Sequence, residues 1–157
     1  ALSFMTPAFS NGGGIPEKYT CDGSETKLTF TISEVPSSAA SLVLFIDDLD
    51  GSPTSTTTAS DWSHWVVFNI PIVSSINTSS LPSGALEGTT SSDSPGFDSI
   101  CPDGEKGDRQ KHNYRFELYA IDTTLSLGPD SDRAEVVTAM KNNLLEKSSI
   151  SGYFGSN

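Results

Sequence analysis

The sequence predicts a mainly β fold, a sandwich or layered sheet with one or two short helices, and three observations lead there. Apolar runs rich in β-branched and aromatic residues recur at 28–32, 41–46, 64–70 and 114–121, the composition expected of strands. Clusters of Gly, Pro, Ser and Asp separate them, and these residues favour turns. Two runs, Leu42-Val43-Leu44-Phe45-Ile46 and Trp65-Val66-Val67-Phe68, are apolar at successive positions, which fits central strands covered on both faces. A chain of 157 residues is expected to form one domain over 1–157, a size that buries roughly 68–70% of the surface exposed by the unfolded chain. No internal repeat or interdomain linker is visible.

Each element has its own grounds. The 41–46 run leads into carboxylates at Asp48 and Asp50, followed by a Ser- and Thr-rich excursion at 52–60. The 64–70 run opens on His64, and His112 stands just before the 114–121 run; the chain has two histidines. From 72 to 108 the sequence is mostly Ser, Gly, Pro and Asp, long enough to suggest a functional surface loop. Within it Asn77-Thr78-Ser79 is a formal glycosylation sequon. A helix is predicted over 132–147, because Asp132 and Glu135 have capping-box spacing and Val136, Val137, Met140 and Leu144 mark one face.

Charge and cysteines bound the function. A net charge of −11 repels nucleic acid and anionic bilayers, so neither is expected as a bulk partner. Against that trend Lys106, Arg109, Lys111 and Arg115 crowd around His112, an expected anion-friendly patch. No apolar run is long enough for a transmembrane segment, and no basic-then-apolar leader opens the chain. Cys21 and Cys101 each sit in a turn-forming context, Cys21-Asp-Gly and Cys101-Pro-Asp-Gly. Two thiols make no metal site; they are either bridged, which favours a secreted or periplasmic location, or free, which favours the cytoplasm.

Strand parity groups the polar residues. In an extended chain His112 and Tyr114 share a face with Phe116 and Leu118, and Asp48 shares one with Ile46, Leu44 and Leu42. The same rule sets His64 above Val66, Phe68 and Ile70. Three strands thus each offer a polar tip over an apolar base, with Trp62 and Trp65 as further apolar surface. Imidazole and phenol can donate to an oxyanion while a carboxylate fixes an imidazole, so a phosphate or phosphomonoester fits, held at micromolar to millimolar Kd. Gly-x-Ser-x-Gly is absent, and Asn11-Gly-Gly-Gly14 precedes Ile15-Pro16 rather than a helix, so nucleophilic catalysis and a phosphate loop are not expected. A metal triad of two histidines and a carboxylate lacks the His-x-Asp/Glu spacing, and neither metal nor cofactor is expected. The rival readings are a hydrolase with Asp48 and His64 as acid and base on a phosphoester or glycosidic bond, and a vestigial pocket beside a protein-binding 72–108 loop.

The ordered set of segments resembles the phosphatidylethanolamine-binding proteins, in particular the bacterial and archaeal Raf-kinase-inhibitor-like members. It consists of Ile15-Pro-Glu-Lys-Tyr-Thr-Cys21-Asp-Gly, Asp48-Leu-Asp50-Gly-Ser-Pro53, Trp62-Ser-His64-Trp-Val-Val-Phe-Asn-Ile-Pro71 and His112-Asn-Tyr114-Arg-Phe-Glu-Leu-Tyr-Ala-Ile-Asp122. The resemblance implies a Greek-key β-sandwich whose pocket residues fall on Asp48, His64, His112 and Tyr114, with Asp50 shaping the loop at the rim; Trp62 and Trp65 join that rim on the reading of the residues alone. It implies binding of phosphate, a carboxylate or a phospholipid head group, a regulatory or inhibitory contact with a kinase or serine protease, and no enzymatic role. Departures are Leu49 in place of the family's first Pro after Asp48, one extra residue before Pro53, Glu25-Thr-Lys-Leu28 in place of Ser-Pro-Pro-Leu, and Asn113 between His112 and Tyr114. Ending soon after Tyr153-Phe154, the chain lacks the covering C-terminal helix of larger relatives, and an open mouth is expected.

Overall fold

The computed structural model describes residues 1–51 and 61–156; the Ser- and Thr-rich excursion at 52–60 lies outside the described residues. Each predicted apolar run becomes a strand: β3 (Thr29–Ser33), β4 (Ser41–Asp48), β5 (Trp62–Ile70) and β10 (His112–Ile121). Shorter strands complete two sheets: β1 (Ser3–Met5), β2 (Gly13–Gly14), β6 (Ser75–Asn77), β7 (Leu86–Glu87) and the long β11 (Leu144–Phe154). One sheet has six strands in the order β2-β11-β10-β4-β5-β7, and the other three in the order β1-β3-β6. A separate two-stranded hairpin joins β8 (Gly104–Glu105) and β9 (Asp108–Arg109).

Burial explains the unbroken apolar runs. All eight residues of β4 are buried, because its sheet is covered twice. On one face Leu44, Ile46, Phe116 and Leu118 pack against Phe4, Phe30 and Ile32 of the smaller sheet. On the other, Val43, Phe45, Val66 and Phe68 pack against Val136 and Met140 of the helix α1 (Arg133–Met140). The sandwich and its helix layer are thus two apolar interfaces sharing one sheet.

Three expectations need correction. The helix stops at Met140, where Asn143 turns back to donate to the Met140 carbonyl and to Asp122. Its Asp132–Glu135 capping box is formed as predicted, yet Leu144 opens β11 and is exposed. That strand escaped notice because its sequence is mostly polar; it is held by a ladder to β10 running from His112↔Phe154 to Ile121↔Leu144. The 72–108 stretch is not simply a surface loop either. It supplies β6 and β7, buries Ile76 and Ile100, and ties Cys101 to Cys21.

The cysteines are therefore bridged, with Cα atoms 5.4 Å apart. Beside the bridge Arg109 grips both joined segments: its Nη2 donates to Asp22 Oδ1 at 2.7 Å and its Nη1 to the carbonyls of Pro102 and Gly104. The Arg109 hydrogen bond holds the Asp22 carboxyl below its usual range, outweighing the opposing effect of burial. A lowered folded-state pKa contributes stability above the unfolded value of 3.8, lost as the pH falls through the folded one. The urea midpoint is accordingly expected to fall on acidification below about 4, and to fall less steeply in Arg109→Ala; equal slopes would refute this clamp.

Candidate functional site

β4 lies between β5 and β10, and the register pairs Tyr114 with Asp48 and Asp48 with Trp62. Parity on β4 and β10 is as expected, since Leu42, Leu44, Ile46, Tyr114, Phe116 and Leu118 share the inter-sheet core. On β5 it is not. The ladder runs Ile46↔Trp65 and then Asp47↔Ser63, so His64 is an extra residue opposite a single step of β4. This bulge reverses the alternation: Trp65 and Val67 face the inter-sheet core, while Val66 and Phe68 turn to the helix side. A second shift near Asn69, whose φ is +55°, returns Ile70 to the inter-sheet face.

The bulge brings His64 to the other predicted residues. His112 Nδ1 donates to Asp48 Oδ2 at 2.7 Å, and His64 Nε2 stands 4.0 Å from the same oxygen. The His64 and Tyr114 rings are 5.5 Å apart between centroids. None of these four residues is more than 5% exposed.

Hydrogen bonds fix each group. Asp48 Oδ1 accepts from the Asp50 main-chain N–H at 2.9 Å. Asp50 Oδ2 in turn accepts from the Asn113 main-chain and side-chain N–H groups at 2.7 and 3.0 Å. The first of these, opposed by burial and aided by the second, holds the Asp50 carboxyl below its usual range. Asn113, which lies between His112 and Tyr114, thus ties β10 to the turn after β4. Gly51 has to be small there, because a Cβ would sit 2.5 Å from that of Trp62.

His64 Nδ1 donates to the Asp98 carbonyl at 2.9 Å, and the Asp98 N–H donates to the His64 carbonyl at 2.8 Å. Asp98 was missed in the sequence because a main-chain carbonyl leaves no trace in residue type. Trp62 stands at the edge, half-buried, its indole N–H 3.4 Å from Asp98 Oδ2. Trp65 is not at the rim: it is wholly buried and donates to Glu87 at 2.6 Å.

Among the described residues the buried Tyr114 hydroxyl has no hydrogen-bond partner. Burial first, and the Asp48 charge second, push its pKa above the ordinary tyrosine range, so it stays a donor at any working pH. Asp48 acts on it through charge, without a hydrogen bond of good geometry. The expected basic patch is dispersed. Arg109 is committed to Asp22, the Lys111 ammonium lies 4.4 Å over the Tyr153 ring, and Arg115 faces Asp47 on the opposite side of the sheet. A separate cavity of about 290 Å³ opens between Ile15, Arg109 and Phe154, and none of the four clustered residues lines it.

Known proteins share this architecture. The sequence profile of the family described as phosphatidylethanolamine-binding protein matches residues 5–155. A UPF0098 protein from Methanothermobacter thermautotrophicus is 34% identical, the alignment covering 98% of each chain. A crystal structure from Chlamydia trachomatis, described as a homologue of phosphatidylethanolamine-binding protein, superposes with a TM-score of 0.88 at 30% identity, covering 100% of this chain and 99% of that one. The Escherichia coli protein YbcL shares the fold, with a TM-score of 0.80 at 24% identity and 99% coverage of both chains.

Proposed function

This chain belongs to the phosphatidylethanolamine-binding protein family, and on that premise we propose that Asp48, His64, His112 and Tyr114 bind a small anion without turning it over. The anion class is phosphate, a phosphomonoester, a carboxylate or the phosphate of a phospholipid head group. One observation carries this reading: the Tyr114 hydroxyl is a buried donor without a partner among the described residues, and its ring lies beside the His64 imidazole. An unmet buried donor costs about 1–3 kcal/mol, which an anionic oxygen would relieve. The raised Tyr114 pKa makes its phenol a poor nucleophile, which supports binding over hydrolysis. A regulatory contact with a kinase or serine protease belongs to the same reading and rests on family membership alone.

Titrating inorganic phosphate while following the imidazole ring protons tests the assignment. Both histidines are expected to shift with a Kd in the micromolar to millimolar range. His112→Ala should weaken binding about 10- to 100-fold, the equivalent of a charge-assisted hydrogen bond. Shifts elsewhere with both rings unmoved would remove the site, and phosphoester turnover abolished by His64→Ala would replace binding with hydrolysis.

A further inference from the structure

The hydrogen bonds that hold the imidazoles also decide which nitrogens meet a guest. A carbonyl only accepts, so the 2.9 Å contact to Asp98 places a proton on His64 Nδ1. In the neutral ring its Nε2, on the Asp48 side, is then a bare lone pair. His112 Nδ1 likewise donates to the Asp48 carboxylate, which leaves its own Nε2 bare. With Asp48 ionised and both rings neutral, the cluster offers one donor, the Tyr114 hydroxyl, against two ring acceptors and a full negative charge. That complement repels a dianion.

We infer that the site binds anion and proton together, taking up one proton per anion on His112. Resting on the anion-site reading above, this adds its stoichiometry and its carrier. Protonation turns His112 Nε2 from acceptor to donor and balances Asp48, only 2.7 Å from the ring's other nitrogen. His64, at 4.0 Å, gains less from that carboxylate. The charged surroundings favour uptake. From β4 and its turn come Asp48 and Asp50; from the segment before β10 come Asp98 beside His64 and Asp103, whose charge reaches Tyr114. The cation nearest in sequence, Lys111, lies over Tyr153, and Arg115 belongs to the opposite face. One imidazolium cancels one carboxylate, so the expected count is one.

Sulfate is the discriminating probe, because it carries no proton of its own near neutral pH. Calorimetric titration at pH 8, above the reference histidine pKa of about 6.5, is run in two buffers of different ionisation enthalpy. The observed heats are expected to differ by one buffer ionisation per sulfate bound, and Kd to weaken about tenfold per pH unit above pH 7.5. His112→Gln, which keeps an N–H donor but cannot titrate, should lose both effects. As a readout free of any variant, adding sulfate at pH 8 should move the His112 ring signals to imidazolium positions and leave His64 neutral. Binding with equal heats in both buffers, an unmoved His112, or binding of phosphate but not sulfate would overturn proton uptake while leaving the anion site. No binding of either ion would overturn both.

Discussion

Replacing Cys21 and Cys101 together by alanine is expected to lower the unfolding free energy by about 4–5 kcal/mol, the chain-entropy value for a loop of this length. The bridge closes 80 positions of sequence, and removing it frees the unfolded chain more than it alters the native one. Against a typical total of about 5–15 kcal/mol, the double variant sits near the limit of folding. Its Tm should fall by roughly 10–15 °C. The imidazole cluster should survive in the folded fraction, because β4, β5 and β10 position it and Arg109 still joins Asp22 to the Pro102 and Gly104 carbonyls. Denaturant titration of the oxidised wild type beside the double variant checks the magnitude. A loss under about 1 kcal/mol would mean that the crosslink adds little beyond the Arg109 clamp.

The second large effect lies on the opposite face of the sheet, where Asp47 points away from its neighbour Asp48. Asp47 is wholly buried and accepts from Arg133 at 3.1 Å and from Arg115 at 2.9 Å, while Arg133 also reaches Glu117 at 3.1 Å and lies 4.5 Å over the Phe45 ring. Burial raises the Asp47 pKa even though both arginines oppose it, so the ionised carboxylate is a liability that the arginines restrain. Arg133→Ala should therefore cost about 2–4 kcal/mol at pH 7, somewhat below a fully broken buried pair because Arg115 remains. A raised carboxylate pKa contributes stability below the unfolded value of 3.8, lost as the pH rises through the folded value. The deficit of Arg133→Ala should accordingly be largest at neutral pH and shrink as the pH falls through the raised folded-state values, before 3.8 is reached. In an Asp47→Asn background the same substitution should cost less than about 1 kcal/mol. An unchanged deficit there would mean that Arg133 works through its packing on Phe45 alone.

What the sequence could reveal follows the range of the physics involved. The strands β4 and β5 were legible because doubly covered strands are apolar at successive positions, and β3 and β10 because β-branched and aromatic residues recur between turn-forming clusters; neither pattern needs knowledge of partners. The same local rule placed Asp48, His112 and Tyr114 on one face, because β4 and β10 keep an unbroken register through that end. The capping box at Asp132 was legible for a similar reason: both of its bonds close within three residues.

Other features depend on a partner strand. His64 reaches Asp48 through a bulge, and a bulge is a mismatch between two strands that neither displays alone. β11 reads as polar because main-chain bonds to β10 hold it, and those are blind to side-chain type. Of the two possible cysteine states, only the approach of Cys101 to Cys21 selected the bridge. The amino-acid order by itself thus determined the β class, the apolar cores of the main strands and the residue types able to meet an anion. Tertiary structure decided the tautomer of each imidazole and the unmet hydroxyl of Tyr114, because a hydrogen bond is settled by where the second group lies.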